Sequence, residues 1–559
     1  MKSENFEMVA KTFQGLEDVL AGELTRLGAE NVTPGRRMVS FTGDNEMLYK
    51  ANLCCRTALR ILKPICKFTA SDPDTLYDMV KEMDWSSLLS VDKTFSIDPV
   101  VNSDTFTHSR YVTYRVKDAI VDYFQDRLGE GKRPGVRLQD ADVMINVHID
   151  GNRVTMSLDS SGESLHKRGY RVAQTEAPIN EVLAAGILLK AGYDGQCPLV
   201  DPMCGSGTFL IEAAMIAANI NPGVYRRNFA FEQWPDFDEE LFERLYNDDS
   251  SERTPEYPII GADISPKAIA IAEKNIKQAG VGRWVDIQIK PIAKWEEAPA
   301  AGILVSNPPY GERISVDDMA SLYSTIGNRL KNVFKGYHAW IIGYQDEHMR
   351  HIGLAPSHKI SLYNGSLECE LREYEIFEGD YKSFRSEGNR LNKDTAPQRG
   401  KADRRKTDDE WRRDARKKGF GGRDGDNPRF RKGADRPQRK PNALEEKYRA
   451  KPLGRKKRYD GEERPDGFGR KPSFGGKPFA RRDDSKPFAR KSDGKPMARR
   501  DDAPAAESEN PLAKRRNQAL LDKIMNRDSQ PQPQPLARRG WRRVKGNDTD
   551  SSAAPASED

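Results

Sequence analysis

Asn307-Pro308-Pro309-Tyr310, followed by Gly311-Glu312-Arg313, is the stretch whose residue types fit one chemistry most narrowly. An exocyclic amine on a heteroaromatic ring is a poor nucleophile, because its lone pair is delocalised into the ring. A catalyst must therefore hold it in place with acceptors. The Asn307 side-chain oxygen and the Pro308 carbonyl can each accept one of the amine's two N–H bonds, aiming the nitrogen at an electrophile, while the Tyr310 ring stacks on the base. The Pro308-Pro309 pair restricts the backbone and keeps the acceptors preorganised. A proline-rich loop would use the same residues without chemistry, and two further motifs decide against that reading.

The first is Val200-Asp201-Pro202-Met203-Cys204-Gly205-Ser206-Gly207-Thr208, at the exit of an apolar run and the start of the helical run Phe209 to Ala218. Glycines there let the backbone approach a ligand, and the helix start presents free N–H groups. A phosphate would suit such a turn, but no Lys follows the glycines and the Gly-x-Gly-x-x-Gly spacing is absent. Asp201 beside the turn would repel pyrophosphate and favour a cationic ligand such as S-adenosylmethionine. The second motif is Gly261-Ala262-Asp263, an acid ending the next apolar run, where ribose hydroxyls find an acceptor in nucleoside-binding folds.

These residues need a sheet whose strands end together. From about Glu176, helices alternate with nearly all-apolar runs: Pro198 to Asp201, Ile259 to Asp263, Ile303 to Ser306 and His338 to Gly343. Strands without polar alternation indicate a parallel sheet covered on both faces. Lys359 to Tyr363 and Glu370 to Phe377, joined around Asn364-Gly365, add an antiparallel hairpin. Upstream, Glu7 to Phe13 and Arg37 to Phe41 read as strands, with helices over Leu16 to Leu27 and Asn45 to Leu53. A second α/β module runs from about Cys66 to Ser160: a helix from Asp74, a strand Phe95 to Val101, a helix Arg110 to Leu128, then strands Val143 to Asp150 and Arg153 to Asp159 joined at Gly151-Asn152. The segment Arg226 to Glu243, with Phe229, Phe231 and Trp234, either walls the target pocket or is a packing insertion.

The 559-residue chain has a formal net charge of +6, which hides two different polymers. Residues 381 to 559 hold 50 Lys+Arg against 29 Asp+Glu, net +21, while residues 1 to 380 hold 41 against 56, net −15. Leu, Ile, Val and Phe number only 16 in that tail, too few to offset ordering entropy, so a disordered basic tail is expected. It carries three copies of a nine-residue repeat beginning at Lys477, Lys486 and Lys495, too polar to stack. Cys54, Cys55, Cys66, Cys197, Cys204 and Cys369 form no Cys-x-x-Cys pair, so no metal site is expected and reduced thiols are. No apolar run is long enough to span a membrane and the N-terminus lacks a signal core, which makes a cytoplasmic location the expectation.

The three motifs are similar to motifs I, II and IV of class I S-adenosylmethionine-dependent methyltransferases, and Asn-Pro-Pro-Tyr resembles the amine-nitrogen group acting on guanine, adenine or glutamine. Ser161 to Arg171, Ala177 to Glu181, His108 to Tyr111 and Lys117 to Ile120 resemble the THUMP-domain RNA guanine-N2 methyltransferases, and the N-terminal half of bifunctional large-subunit rRNA enzymes most of all, over about residues 5 to 380. The resemblance implies an α/β chain: a ferredoxin-like module at 1–65, a THUMP RNA-binding domain at 66–165, and a Rossmann-like methyltransferase domain at 166–380, ahead of the tail at 381–559. It assigns catalysis to Asn307, Pro308, Pro309 and Tyr310. Donor binding falls to Asp201, Pro202, Cys204, Gly205, Ser206, Gly207, Thr208 and Asp263. Arg110, Arg115, Lys117, Lys167, Arg168 and Arg171, grouped in the two THUMP-like segments, are either phosphate contacts for RNA or ordinary solvated side chains. His108 and His166 are structural or RNA-facing. The family often has an Asp after the third strand that contacts adenine; here Pro291 stands in that stretch, and no residue is assigned. A monomer acting on large-subunit rRNA is the expectation, with a tRNA acceptor stem as the alternative substrate and a non-enzymatic RNA-binding or ribosome-assembly protein as the rival of another class.

Overall fold

The computed structural model describes residues 4–138, 140–309, 316–344, 346–365, 367–377, 518–522 and 524. The N-terminal part is built from β1 (Phe6–Lys11), α1 (Glu17–Leu27), β2 (Glu30–Gly35), β3 (Met38–Gly43), α2 (Asn45–Cys54), β4 (Arg60–Thr69), α3 (Pro73–Lys81), β5 (Thr94–Asn102), α4 (Ser109–Leu128), β6 (Gly135–Val136), β7 (Val143–Asp150) and β8 (Arg153–Asp159). Their strands form one eight-stranded sheet in the order β2-β3-β1-β4-β8-β7-β5-β6. The expected boundary at residue 65 falls inside β4. That strand pairs with β1 through Arg60 to Leu62 and with β8 through Leu62 to Thr69, with an irregularity between Pro64 and Cys66. The two modules therefore share a sheet.

After Asp159 come α5 (Glu181–Lys190), β9 (Leu199–Asp201), α6 (Thr208–Ala217), α7 (Glu239–Asn247), β10 (Ile259–Asp263), α8 (Pro266–Gln278), β11 (Val285–Ile289), β12 (Ile303–Ser306), α9 (Val316–Asn332), β13 (His338–Gly343), α10 (Asp346–Arg350), β14 (His358–Asn364) and β15 (Leu367–Glu375). The seven-stranded sheet runs β11-β10-β9-β12-β13-β15-β14. β9 to β13 are parallel, and β15 runs antiparallel to both β13 and β14. The strand order doubles back at β9, so β9 and β12 leave a crevice at their C-terminal ends.

Helix starts follow local chemistry. Asn180 caps α5 by accepting from Val182 and Leu183 N–H, and Ser265 caps α8 with Pro266 in the first turn. One apolar cluster joins the two sheets, running from Leu16, Leu20 and Leu24 to Leu183, Ile187 and Met215. Buried polar groups tie the same junction. Arg168 donates to the carbonyls of Leu165 and Arg56, and lies 3.5 Å from Glu212, which also accepts from Tyr170 at 2.9 Å. Arg56 in turn donates to the Met215 carbonyl. The aromatic insertion packs here too: Phe231 stacks on Tyr49 at 4.6 Å and on Phe229 at 5.2 Å, and Phe242 closes on it edge-on. Arg226 donates to the carbonyls of Ser161, Glu163, Ser164 and Lys167. Phe229, Phe231 and Trp234 are thus buried packing residues rather than a pocket wall.

The tail lies outside the described residues except for 518–522 and 524, and residues 518–522 are helical.

Candidate active site

A cavity of about 1040 Å3 opens at the C-terminal ends of β9, β10 and β12, and Asn307, Pro308, Pro309, Pro202, Gly205 and Asp263 all line it. Three motifs spread over more than a hundred residues of sequence therefore meet at one place. The turn after β9 is shaped by its own carboxylates. Asp263 accepts the Gly205 N–H at 3.0 Å with one oxygen and the Ser265 N–H at 2.8 Å with the other, locking the turn to the end of β10. Gly205 has φ +54 and nothing within 4 Å of where a Cβ would stand, so it faces open space. Gly207 serves packing instead: a Cβ there would sit 3.2 Å from Ala272 of α8.

Asn307 holds the observation of most consequence. Its Oδ1 is buried and has no hydrogen-bond partner among the described residues, at a position lining the cavity. An unsatisfied buried acceptor is costly unless a ligand supplies the donor, as an amine N–H would. Tyr310 lies outside the described residues.

Several residues assigned to the donor site sit beneath it instead. Asp201 is 1% exposed, and its carboxylate accepts the Met203 N–H at 3.2 Å. Burial pushes its carboxyl well above the usual range, and its bond to the Met203 N–H shapes the turn. Cys204 is buried, donates its N–H to the Ala262 carbonyl, and burial raises its thiol. Ser206 and Thr208 are buried and each accepts from Arg171, at 3.0 and 2.9 Å. Arg171 also pairs with Glu181 at 2.6 Å and donates to the Ile179 carbonyl.

These contacts correct two RNA-contact expectations. Arg168 is 2% exposed and spent on internal carbonyls, and Arg171 is a half-buried brace between the residues before α5 and the glycine turn. Sequence cannot reveal this, because a cation's partner is set by the fold. The other four cations reach the surface. Arg110 is exposed at the start of α4; Arg115 pairs with Asp74 at 2.7 Å, Lys117 with Asp118 at 2.6 Å, and Lys167 with Glu163. Tyr111 and Tyr114 are 50% and 53% exposed beside them. Exposed aromatic rings thus alternate with cations along this helix.

Sequence reading also missed one cavity wall. Gln174 to Pro178, immediately before α5, line it together with Asn364 and Gly365 of the β14–β15 turn. At the end of β11, Pro291, Ile292 and Ala293 supply an apolar lining, and Ile264 adds a side chain 71% exposed.

Comparison with known proteins agrees with this geometry. Residues 168–373 match the family described as "RMKL-like, methyltransferase domain", residues 70–159 a THUMP domain, and residues 7–62 an RlmL ferredoxin-like domain. The Synechocystis sp. protein named "Putative RNA methyltransferase slr0064" is 39% identical over 371 residues, covering 66% of this chain and 96% of that one. The ribosomal RNA large subunit methyltransferase K/L of Syntrophotalea carbinolica is 39% identical over 378 residues, covering 65% of this chain. The chain spans 53% of that enzyme and 50% of its counterpart from Methylococcus capsulatus, about half of each. Among solved structures, SMU.472 complexed with SAH superposes with TM-score 0.61 at 32% identity, covering 68% of this chain and 100% of that one. TrmN of Thermus thermophilus shares the fold at TM-score 0.50 and 17% identity. With all three regions matched in order and 96% of the Synechocystis relative covered, the chain belongs to the family of RMKL-like methyltransferases that carry a ferredoxin-like and a THUMP domain ahead of the catalytic one.

Proposed function

We propose that the chain transfers a methyl group from S-adenosylmethionine to the exocyclic N2 of a guanosine in large-subunit ribosomal RNA, acting as a monomer in the cytoplasm. The observation that carries this reading is the buried Oδ1 of Asn307, without a partner among the described residues, on the same cavity as Gly205 and Asp263. S-adenosylmethionine supplies an electrophilic methyl on a sulfonium. Its nucleoside fits the residues present: Asp263 keeps lone pairs for ribose hydroxyls, Gly205 leaves room, and Ile264 with Pro291 to Ala293 offers apolar faces to a purine. Binding of SAH by SMU.472, whose whole length this chain covers, supports the donor.

In the proposed step the Asn307 Oδ1 and Pro308 carbonyl hold the guanine amine, so that its lone pair faces the methyl carbon. The nitrogen–carbon bond forms as the carbon–sulfur bond breaks, and the extra proton leaves the nitrogen for water. Tyr310 is proposed to stack on the base. Reaching this cavity requires the guanosine to leave its helix. The domain limits 1–65, 66–165 and 166–380 are kept as a division of labour, the first two presenting RNA. Arg110, Arg115, Lys117 and Lys167 are the proposed phosphate contacts. The K/L names of the half-matched relatives support the rRNA substrate.

A transcript in which inosine replaces guanosine tests the reading, since inosine lacks only the 2-amino group. Methyl transfer from labelled donor to the guanosine transcript, and none to the inosine one, is expected. Equal labelling of both would place the methyl on another atom. No labelling of rRNA or tRNA transcripts would favour a non-enzymatic role.

A further inference from the structure

The described part of the tail is a single amphipathic turn. Gln518 donates to Asp522 at 3.0 Å on its exposed side, where Leu521 is also 52% exposed. The other side is apolar: Leu520 packs against the core cluster that contains Ile276, Val281 and Trp284, and Ile524, four residues on, is only 9% exposed. The spacing of four puts Leu520 and Ile524 on one helical face. The receptor of Ile524 is the turn between α8 and β11. Gly280 there has φ +62, and a Cβ on it would lie 3.0 Å from Ile524 Cγ1, so the absence of a side chain is what lets Ile524 seat.

We propose that this turn is a docking site for the chain's own C-terminal segment, Gln518 to Ile524, which fastens the far end of the basic tract to the methyltransferase domain. Strand directions show where the two fastenings lie. β15 ends at Glu375, paired with His338 at the start of β13, and Gly280 precedes the start of β11. Both points are thus on the edge where the parallel strands begin, near opposite ends of the strand order. The cavity opens at the other edge, where β9, β10 and β12 finish. Residues 378 to 517 carry net +18 between these points. Their ends are held away from the cavity, so the charges stay with the enzyme without either fastening blocking the site. This docking holds whether or not RNA is the substrate.

Amide hydrogen exchange on the full-length chain tests it with Ile524→Asp, Leu520→Asp and, on the exposed side, Leu521→Asp. Exchange across 518–524 should be at least about tenfold slower in the wild type and in Leu521→Asp than in the other two variants, because docking protects amides in proportion to its population. Exchange at the free-peptide rate in the wild type, or the same rate in all four proteins, would overturn the proposal.

Discussion

Asn307 and Asp263 divide the site between acceptor and donor, and substitution should separate their roles. Asn307→Ala removes a preorganised acceptor, which typically costs on the order of 10² to 10³ in rate. Single-turnover methylation should slow by that factor while calorimetric donor affinity stays within about twofold. A parallel loss of donor affinity would mark Asn307 as structural. Asp263→Ala should do the reverse, weakening donor binding by about tenfold or more, since a hydrogen bond to a charged group contributes about 1.5–3 kcal/mol. The loss includes the freed Gly205 and Ser265 amides, which Asp263 also holds. Undiminished donor affinity would remove Asp263 from the site.

At the scale of elements, the hairpin that closes the second sheet contains a titrating cluster. Glu373 on β15 accepts from Ser357 at 3.0 Å, and bonds His338 at 2.8 Å and His358. Burial alone would raise the Glu373 carboxyl, but these bonds outweigh it and hold it below its ordinary value; its bond to His338 raises that imidazole above 6.5. A raised histidine stabilises the fold at pH below its unfolded value and loses that contribution as pH rises through the folded one. The melting temperature should therefore decline between about pH 6 and 8 more steeply in the wild type than in His338→Gln. Identical slopes would contradict the coupling. The strands β9, β10, β12 and β13 were legible because unbroken apolar runs betray a parallel sheet covered on both sides. β2 and β4 were not: Glu30–Gly35 is a mostly exposed edge strand, and Arg60–Thr69 mixes Pro64 with three cations and alternates only loosely. The three cavity motifs were legible because each ends a strand. Arg168 and Arg171 were misread because nothing local reports that Glu212, Glu181 and the glycine turn will surround them. The wall at Gln174 to Pro178 lacks any periodicity and becomes visible only once α5 docks.

For the whole molecule, the tail question changes with the docked turn. Removing residues 381 to 507 deletes most of the basic tract and keeps Gln518 to Ile524 in the chain. The shortened enzyme should still fold and bind donor, but should bind RNA more weakly and with a shallower salt dependence, because fewer counterions are released. Superimposable binding curves across a salt series would show that the tract does not touch RNA. A changed methylation target would show that it helps choose the base, contrary to the rule that phosphate contacts position and base contacts specify. The central claim is the product itself, and nucleoside mass spectrometry of ribosomal and transfer RNA from cells with and without this protein reads it directly. N2-methylguanosine that disappears from the large-subunit rRNA alone is the result the account predicts; an unchanged rRNA, or a loss confined to tRNA or to methyladenosine, would contradict it.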